Sequence, residues 1–185
     1  MFPDNWVTLQ RVYHCAIDKE LFAAKIKAAE AYAQELRIEH SNCVRFETRG
    51  LSSGAVTIRE LVRHALRHRP DHIVVGEVRG GEAADLLQAL NTGHGGSLTT
   101  VHANNSESAL SRLASCAMQG GGSLPWDVTC RGVVDGIAMV IHMTRSDGRR
   151  FVEEALLVKG YDAPENRWLI QPIGREHDEG GKDES

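Results

Sequence analysis

A carboxylate and an imidazole each follow a short apolar run in this sequence. Ile73-Val74-Val75 ends at Gly76 and Glu77, and the run Ser97 to Val101 ends at His102. If both runs are parallel strands of one sheet, both residues emerge at its carboxyl edge, where α/β sheets hold their ligands. A carboxylate there can hold a magnesium-bound water or orient the water that attacks a γ-phosphate. An imidazole beside it can hydrogen-bond a phosphate oxygen. Each residue also has a plain structural reading. Glu77 could form a salt bridge with nearby Arg79, and His102 could be a histidine satisfied by backbone. The spacing alone leaves both readings open.

Other candidates flank this pair. His94 lies in the turn Asn91-Thr92-Gly93-His94-Gly95-Gly96, whose glycines allow close approach to a ligand or to another strand. Arg45, Arg49, Arg59, Arg63, Arg67 and Arg69 make a basic stretch, and three of them, Arg59, Arg63 and Arg67, recur on one helical face. They read as a phosphate clamp, as subunit-interface arginines or as a solvated face. His64 and His68 have metal-ligand spacing, but no carboxylate completes an HExxH pattern. Trp126 and Trp168 read as packing residues rather than stacking platforms.

Periodicity assigns the elements that would position these groups. Lys19 to Gln34 has apolar residues at helical spacing, and Leu36 to Glu47 alternates as short strands do. Thr57 and Glu60 form a capping box for a helix that runs to about His68 and stops before Pro70. Asp71 to Gly76 is a buried strand. Gly80-Gly81 opens a helix through Leu90, Ser97 to Val101 is a strand, and Ser106 to Met118 is a helix. Pro125 starts another helix, to about Val134. Ile137 to Thr144 and Phe151 to Lys159 are strands around a turn at Ser146-Asp147-Gly148, and Trp168 to Ile173 adds an edge strand. Strands alternating with helices predict an α/β fold with a mostly parallel sheet, closed by a C-terminal antiparallel hairpin.

Composition narrows the class. With 185 residues, 42% of them hydrophobic, the chain is long enough for one domain with a real core. A net charge of −4 gives no case for direct nucleic-acid binding. No basic region precedes an apolar core at the N-terminus, and no apolar stretch spans a bilayer. The four cysteines are scattered without a CxxC pair, so reduced thiols in a cytoplasmic protein are expected.

Taken together, the pieces are far more specific than any one of them. The segment VTIRELVRHALRHRPDHIVVGEVRGGEAADLLQALNTGHGGSLTTVHANNSESALSRL closely resembles the secretion ATPases of type II and type IV secretion, type IV pili and conjugal transfer, and above all the conjugal-transfer and type IV branch. The resemblance covers about Leu36 to Val158. It implies part of a RecA-like P-loop NTPase domain that uses ATP and Mg2+, works as a cytoplasmic homo-hexamer and meets other secretion components at the inner membrane. Under it, Ile73 to Glu77 corresponds to the Walker B strand, with Glu77 acting directly or through a magnesium-bound water. Gly93 to His102 corresponds to the histidine box, with His102 its signature. Arg45, Arg49, Arg59, Arg79 and His94 become candidates for nucleotide or subunit contacts.

The family's other marks are missing. No GxxxxGKS/T motif occurs, and the only glycines ahead of Gly76 are Gly50 and Gly54, neither followed by such a lysine. The expected acidic pair before Glu35 is not reproduced either. Residues 1–34 therefore read as a divergent, helical segment joined to the C-terminal part of the motor domain at 35–173, with a flexible tail at 174–185. Such a chain is expected to be impaired as an ATPase on its own, or to act as a non-catalytic module in an ATPase ring. Loss of the phosphate-loop strand should leave a gap in the sheet, which the Lys19 to Gln34 segment could cover.

Overall fold

The computed structural model describes residues 6–10, 44, 46, 56–94 and 96–173. The expected helix at Lys19 to Gln34, the expected strands at 36–47 apart from Val44 and Phe46, and the tail at 174–185 lie outside the described residues. Helix α1 (Ile58–Arg67) begins at the expected capping box. The Thr57 hydroxyl accepts from Glu60 N at 3.2 Å, and Glu60 Oε2 accepts from Thr57 N at 2.8 Å. It ends at His68, followed by Arg69 in the left-handed region (φ 50) and then by Pro70. Helix α2 (Glu82–Asn91), α3 (Ser106–Met118) and α4 (Trp126–Gly136) agree with the sequence expectation within a residue or two. Asn105 caps α3 by accepting from Ser108 N at 2.8 Å.

The described strands form one sheet in the order β2-β3-β1-β4-β5-β6. They are β1 (Trp6–Gln10), β2 (Val74–Val75), β3 (Leu98–Val101), β4 (Met139–Ser146), β5 (Arg149–Asp162) and β6 (Arg167–Pro172). The α/β class and the C-terminal hairpin are as expected. Among the described strands the sheet is mixed: one pair, β2 with β3, is parallel, with Val74 facing Leu98 and Val75 facing Thr99, and the other pairs are antiparallel. The reason lies in the connections. A parallel pair needs a crossover such as α2, whereas a two-residue turn forces antiparallel pairing. Asp147 (φ 51) and Gly148 (φ 76) both have positive φ, as the tight β4–β5 turn requires. β6 is the edge strand that the sequence suggested.

β1 was not expected. It pairs antiparallel with β3 (Val7 with Val101) and with β4 (Val7 with His142), and so joins the two parts of the sheet. Residues 6–10 thereby stand in the middle of the described sheet, and the segment expected to cover a gap, Lys19 to Gln34, lies outside the described residues.

One core lies between the helices and a face of the sheet. It gathers Val75, Val101 and Val140 from the strands and Leu86, Leu90, Leu110, Leu113 and Val133 from the helices. Met139, Ile141 and Met143 form a second buried cluster with Val152, Ala155 and Leu157. β4 is thus buried on both faces, which explains its nearly unbroken apolar run. Trp168 is buried and donates to Ser111 Oγ at 2.9 Å, and Trp126 donates to Tyr161 OH at 2.7 Å. Both tryptophans pack, as expected. Cys116 and Cys130 are free and buried, and burial pushes both thiols up. No helix among the described residues is long and apolar enough to cross a membrane.

Candidate functional site

Glu77 and His102 meet at the carboxyl edge of β2 and β3. Parallel pairing sends both following loops to the same edge, and the two are tied together beyond the strand ends. Leu98 N donates to Ile73 O at 2.9 Å, and Val78 N donates to Thr100 O at 2.9 Å. Thr100 Oγ1 donates to Gly76 O at 2.6 Å. Residues on both sides of Glu77 are thereby fastened to β3, two residues before His102.

The side chains make direct contact. His102 Nε2 lies 3.0 Å from Glu77 Oε1, and Arg79 Nη2 lies 2.6 Å from Glu77 Oε2. The Glu77 side chain is only 15% exposed and that of His102 22%, while Arg79 is 72% exposed. Its hydrogen bond and charge attraction to Glu77 push the Arg79 guanidinium up. The salt-bridge reading of Glu77 is therefore correct as a contact, and it coexists with the His102 contact. Each carboxylate oxygen has two acceptor directions, so these two contacts do not exhaust the acceptor capacity of Glu77.

The loop after Glu77 is shaped by Glu82. Its Oε1 accepts from Arg79 N at 2.7 Å and from Gly80 N at 3.0 Å, which binds the loop to the first turn of α2. Gly81 is required beside it, since a Cβ there would lie 2.9 Å from Gly120 Cα.

Among the described residues, the other sequence candidates His94, Arg59 and Arg63 are engaged by groups other than Glu77 and His102. His94 stands before β3, at the end of α2, and so at the opposite edge of the sheet. Its Nδ1 contacts Ala89 O at 3.1 Å and its carbonyl accepts from Ser97 Oγ at 2.7 Å. The glycine turn serves packing here: Gly96 (φ 77) lies so close to the His72 ring that a Cβ would come within 2.7 Å of His72 Nδ1. Arg59 Nε donates to Asp85 Oδ2 at 2.5 Å, and Arg63 Nε to Asp85 Oδ1 at 2.7 Å. Arg45 and Arg49 lie outside the described residues. His64 and His68 are exposed, and no group of three metal-ligating side chains occurs among the described residues. Sequence reasoning missed Thr100, Glu82 and Asp85. The signal for Glu82 was its position as the first residue of a helix opened by two glycines, where a carboxylate can accept from the preceding amides.

The carboxylate of Glu77 suits a magnesium-bound water, and the described residues at this edge show no glycine-rich cradle for nucleotide phosphates. β1 explains part of this. It runs opposite to β3 and β4, so its start, not its end, faces the Glu77 edge. The carboxyl end of β1, at Gln10, lies on the other side of the sheet, whereas a phosphate loop follows the carboxyl end of a strand at the ligand edge.

Comparison with known proteins locates the resemblance. The family model for type II/IV secretion system proteins matches residues 9–158, beginning inside the segment that the sequence set apart. A putative conjugal transfer protein of Mycobacterium tuberculosis (strain ATCC 25618 / H37Rv) is 42% identical over 130 residues, covering 68% of this chain and 36% of that protein. Conjugal transfer protein TrbB of Rhizobium radiobacter is 35% identical over 127 residues, covering 69% of this chain and 37% of that protein. Among solved structures, the VirB11 ATPase from the Brucella suis type IV secretion system, in complex with sulphate, superposes with a TM-score of 0.53 at 33% identity, covering 55% of this chain and 32% of that one. The chain spans about a third of the length of these relatives.

Proposed function

The chain belongs to the type II/IV secretion system protein family, and from that premise we propose that it carries the Glu77–His102 half of the ATP-hydrolysing site of a conjugal-transfer or type IV secretion ATPase. The observation that supports this most is the contact itself: an acid and a histidine from the ends of two parallel strands, 3.0 Å apart. When bound, Mg2+ would supply charge neutralisation for phosphoryl transfer. Glu77 would hold a metal-bound or attacking water, and His102 would keep the carboxylate in place. Arg79 would hold the other oxygen.

On this reading the chain alone is a poor enzyme. Backbone amides and a lysine of a phosphate loop do much of the positioning in this chemistry, and the sequence contains no such loop. Purified chain should bind ATP weakly and turn it over at background. Robust magnesium-dependent turnover that disappears in Glu77→Gln would contradict the impairment while keeping the site. Turnover unchanged in Glu77→Gln would remove the site.

A second reading is favoured by β1. A domain whose central slot is filled by an antiparallel strand suits a non-catalytic module in an ATPase ring, offering its edge to neighbouring subunits. Hexameric assembly in the cytoplasm, with secretion components at the inner membrane, is the arrangement that family membership suggests. Co-purification with a full-length homologue supports the module reading, and a strict monomer that ignores such a homologue counts against it.

A further inference from the structure

Asp85 holds two arginines, and needs only one. Its side chain is 9% exposed, on the first turns of α2, and it accepts from the Nε of Arg59 on one oxygen and the Nε of Arg63 on the other. One guanidinium would neutralise this carboxylate. The second leaves the cluster positive. Each arginine engages through Nε alone, so the Nη1/Nη2 edges are not used by Asp85. Those edges carry the paired donors that match a phosphate group. Both side chains reach solvent, at 38% and 57% exposure.

The surroundings strengthen the positive field. His64 and Arg67 are exposed on the same helix, and the one acid of α1, Glu60, is engaged by Thr57 at the helix cap. Asp85 also stands one turn beyond Glu82, the residue that fastens the loop carrying Arg79. The arginine pair is therefore at the same end of α2 as the Glu77 loop. The carboxylate removes much of the ordering cost of binding, because it already fixes where both guanidinium groups point.

We propose that Arg59 and Arg63, held by Asp85, form a phosphate-binding clamp at the surface of α1. This deepens the nucleotide reading above, on which it rests for its biological ligand, by naming the group that meets a phosphate in a chain without a phosphate loop. The clamp is solvent-facing, so the phosphate is one that approaches from outside this domain, free or as part of a nucleotide.

Calorimetric titration of the whole chain with inorganic pyrophosphate, at low salt, tests it. Arg63→Ala should weaken binding about tenfold, the effect of one charge-assisted contact. Arg63→Lys keeps the charge and loses the fork, and should weaken it about threefold. Because Arg59 still pairs with Asp85, both variants should fold, and Arg63→Lys is the safer control. Adding ATP to the same series separates nucleotide from free phosphate. Pyrophosphate affinity indifferent to Arg63, or no pyrophosphate binding by the native chain, overturns the clamp. ATP turnover that is unchanged in Glu77→Gln, with pyrophosphate binding still dependent on Arg63, fails the hydrolysis reading alone.

Discussion

The parallel part of the sheet and the antiparallel part put their polar residues to different uses. β2 and β3 are joined by a helical crossover, so their following loops leave at one edge and bring Glu77 to within 3.0 Å of His102. β4, β5 and β6 form a meander, whose successive turns at 147–148 and 163–166 lie at opposite edges. No two loops converge there. Its polar groups serve packing instead: Trp168 holds Ser111, Trp126 holds Tyr161, and Tyr161 donates to Asn166. The comparison teaches that strand direction, more than residue content, decides where chemistry can gather in this chain. The meander also has an acid–histidine pair, Glu153 with His142 at 3.1 Å, but with Glu153 in the middle of a strand it belongs to no loop cluster.

The strongest way to break this division is to ask whether the two parts unfold separately. Leu113 of α3 is fully buried in the core that unites Val75 and Val101 with Val140 and Trp168. Leu113→Ala should cost about 3 kcal/mol through lost burial and the cavity left behind. Both parts share that core, so unfolding should remain a single transition at a lower temperature, followed by circular dichroism and tryptophan fluorescence. Two separated transitions would mean that the parts are independent units.

A smaller perturbation sharpens the contrast. Thr100 Oγ1 donates to Gly76 O at 2.6 Å, and the Thr100 carbonyl accepts from Val78 N. Thr100→Val keeps the shape and removes the hydroxyl, at a cost of about 1 kcal/mol. The loss is confined to the fastening of the Glu77 loop. Hydrogen exchange at Val78 N should therefore accelerate while amides of β4 and β5 stay protected. Equal acceleration across the sheet would show that the loop is not separately held by Thr100.

What could be read from the sequence followed the range of the interactions involved. Glu77 and His102 were legible because each ends a local apolar run, and the pairing of β2 with β3 then brings them together. The cap of α1 was legible for the same reason, since Thr57 and Glu60 are three residues apart. The role of the turn that holds His94 was not legible, because a glycine-rich turn looks alike whether it serves a ligand or makes room for a ring, as Gly96 does for His72. The role of Arg59 depended on Asp85, 26 residues away, which no local pattern reveals. β1 was hardest. Val7 and Leu9 alternate with Thr8 and Gln10, but five residues are a weak signal, and the partners of β1 lie some ninety and more residues further along the chain.

The smallest effect concerns α1, which belongs to neither part of the sheet and carries the arginine pair. Its cap holds the Glu60 carboxyl below its ordinary value of 4.5, first through the Thr57 backbone N–H and then through the Thr57 hydroxyl. A depressed carboxylate stabilises the folded form above its ordinary value, and that contribution is lost as the pH falls through the lowered one. Glu60→Gln removes the charge and keeps an acceptor. The variant should melt slightly below the native chain at neutral pH, and the gap should close as the pH is taken well below 4.5. A gap that stays constant with pH would show that the cap works through shape alone, and that the charge on Glu60 does not help to set the start of the helix on which Arg59 and Arg63 stand.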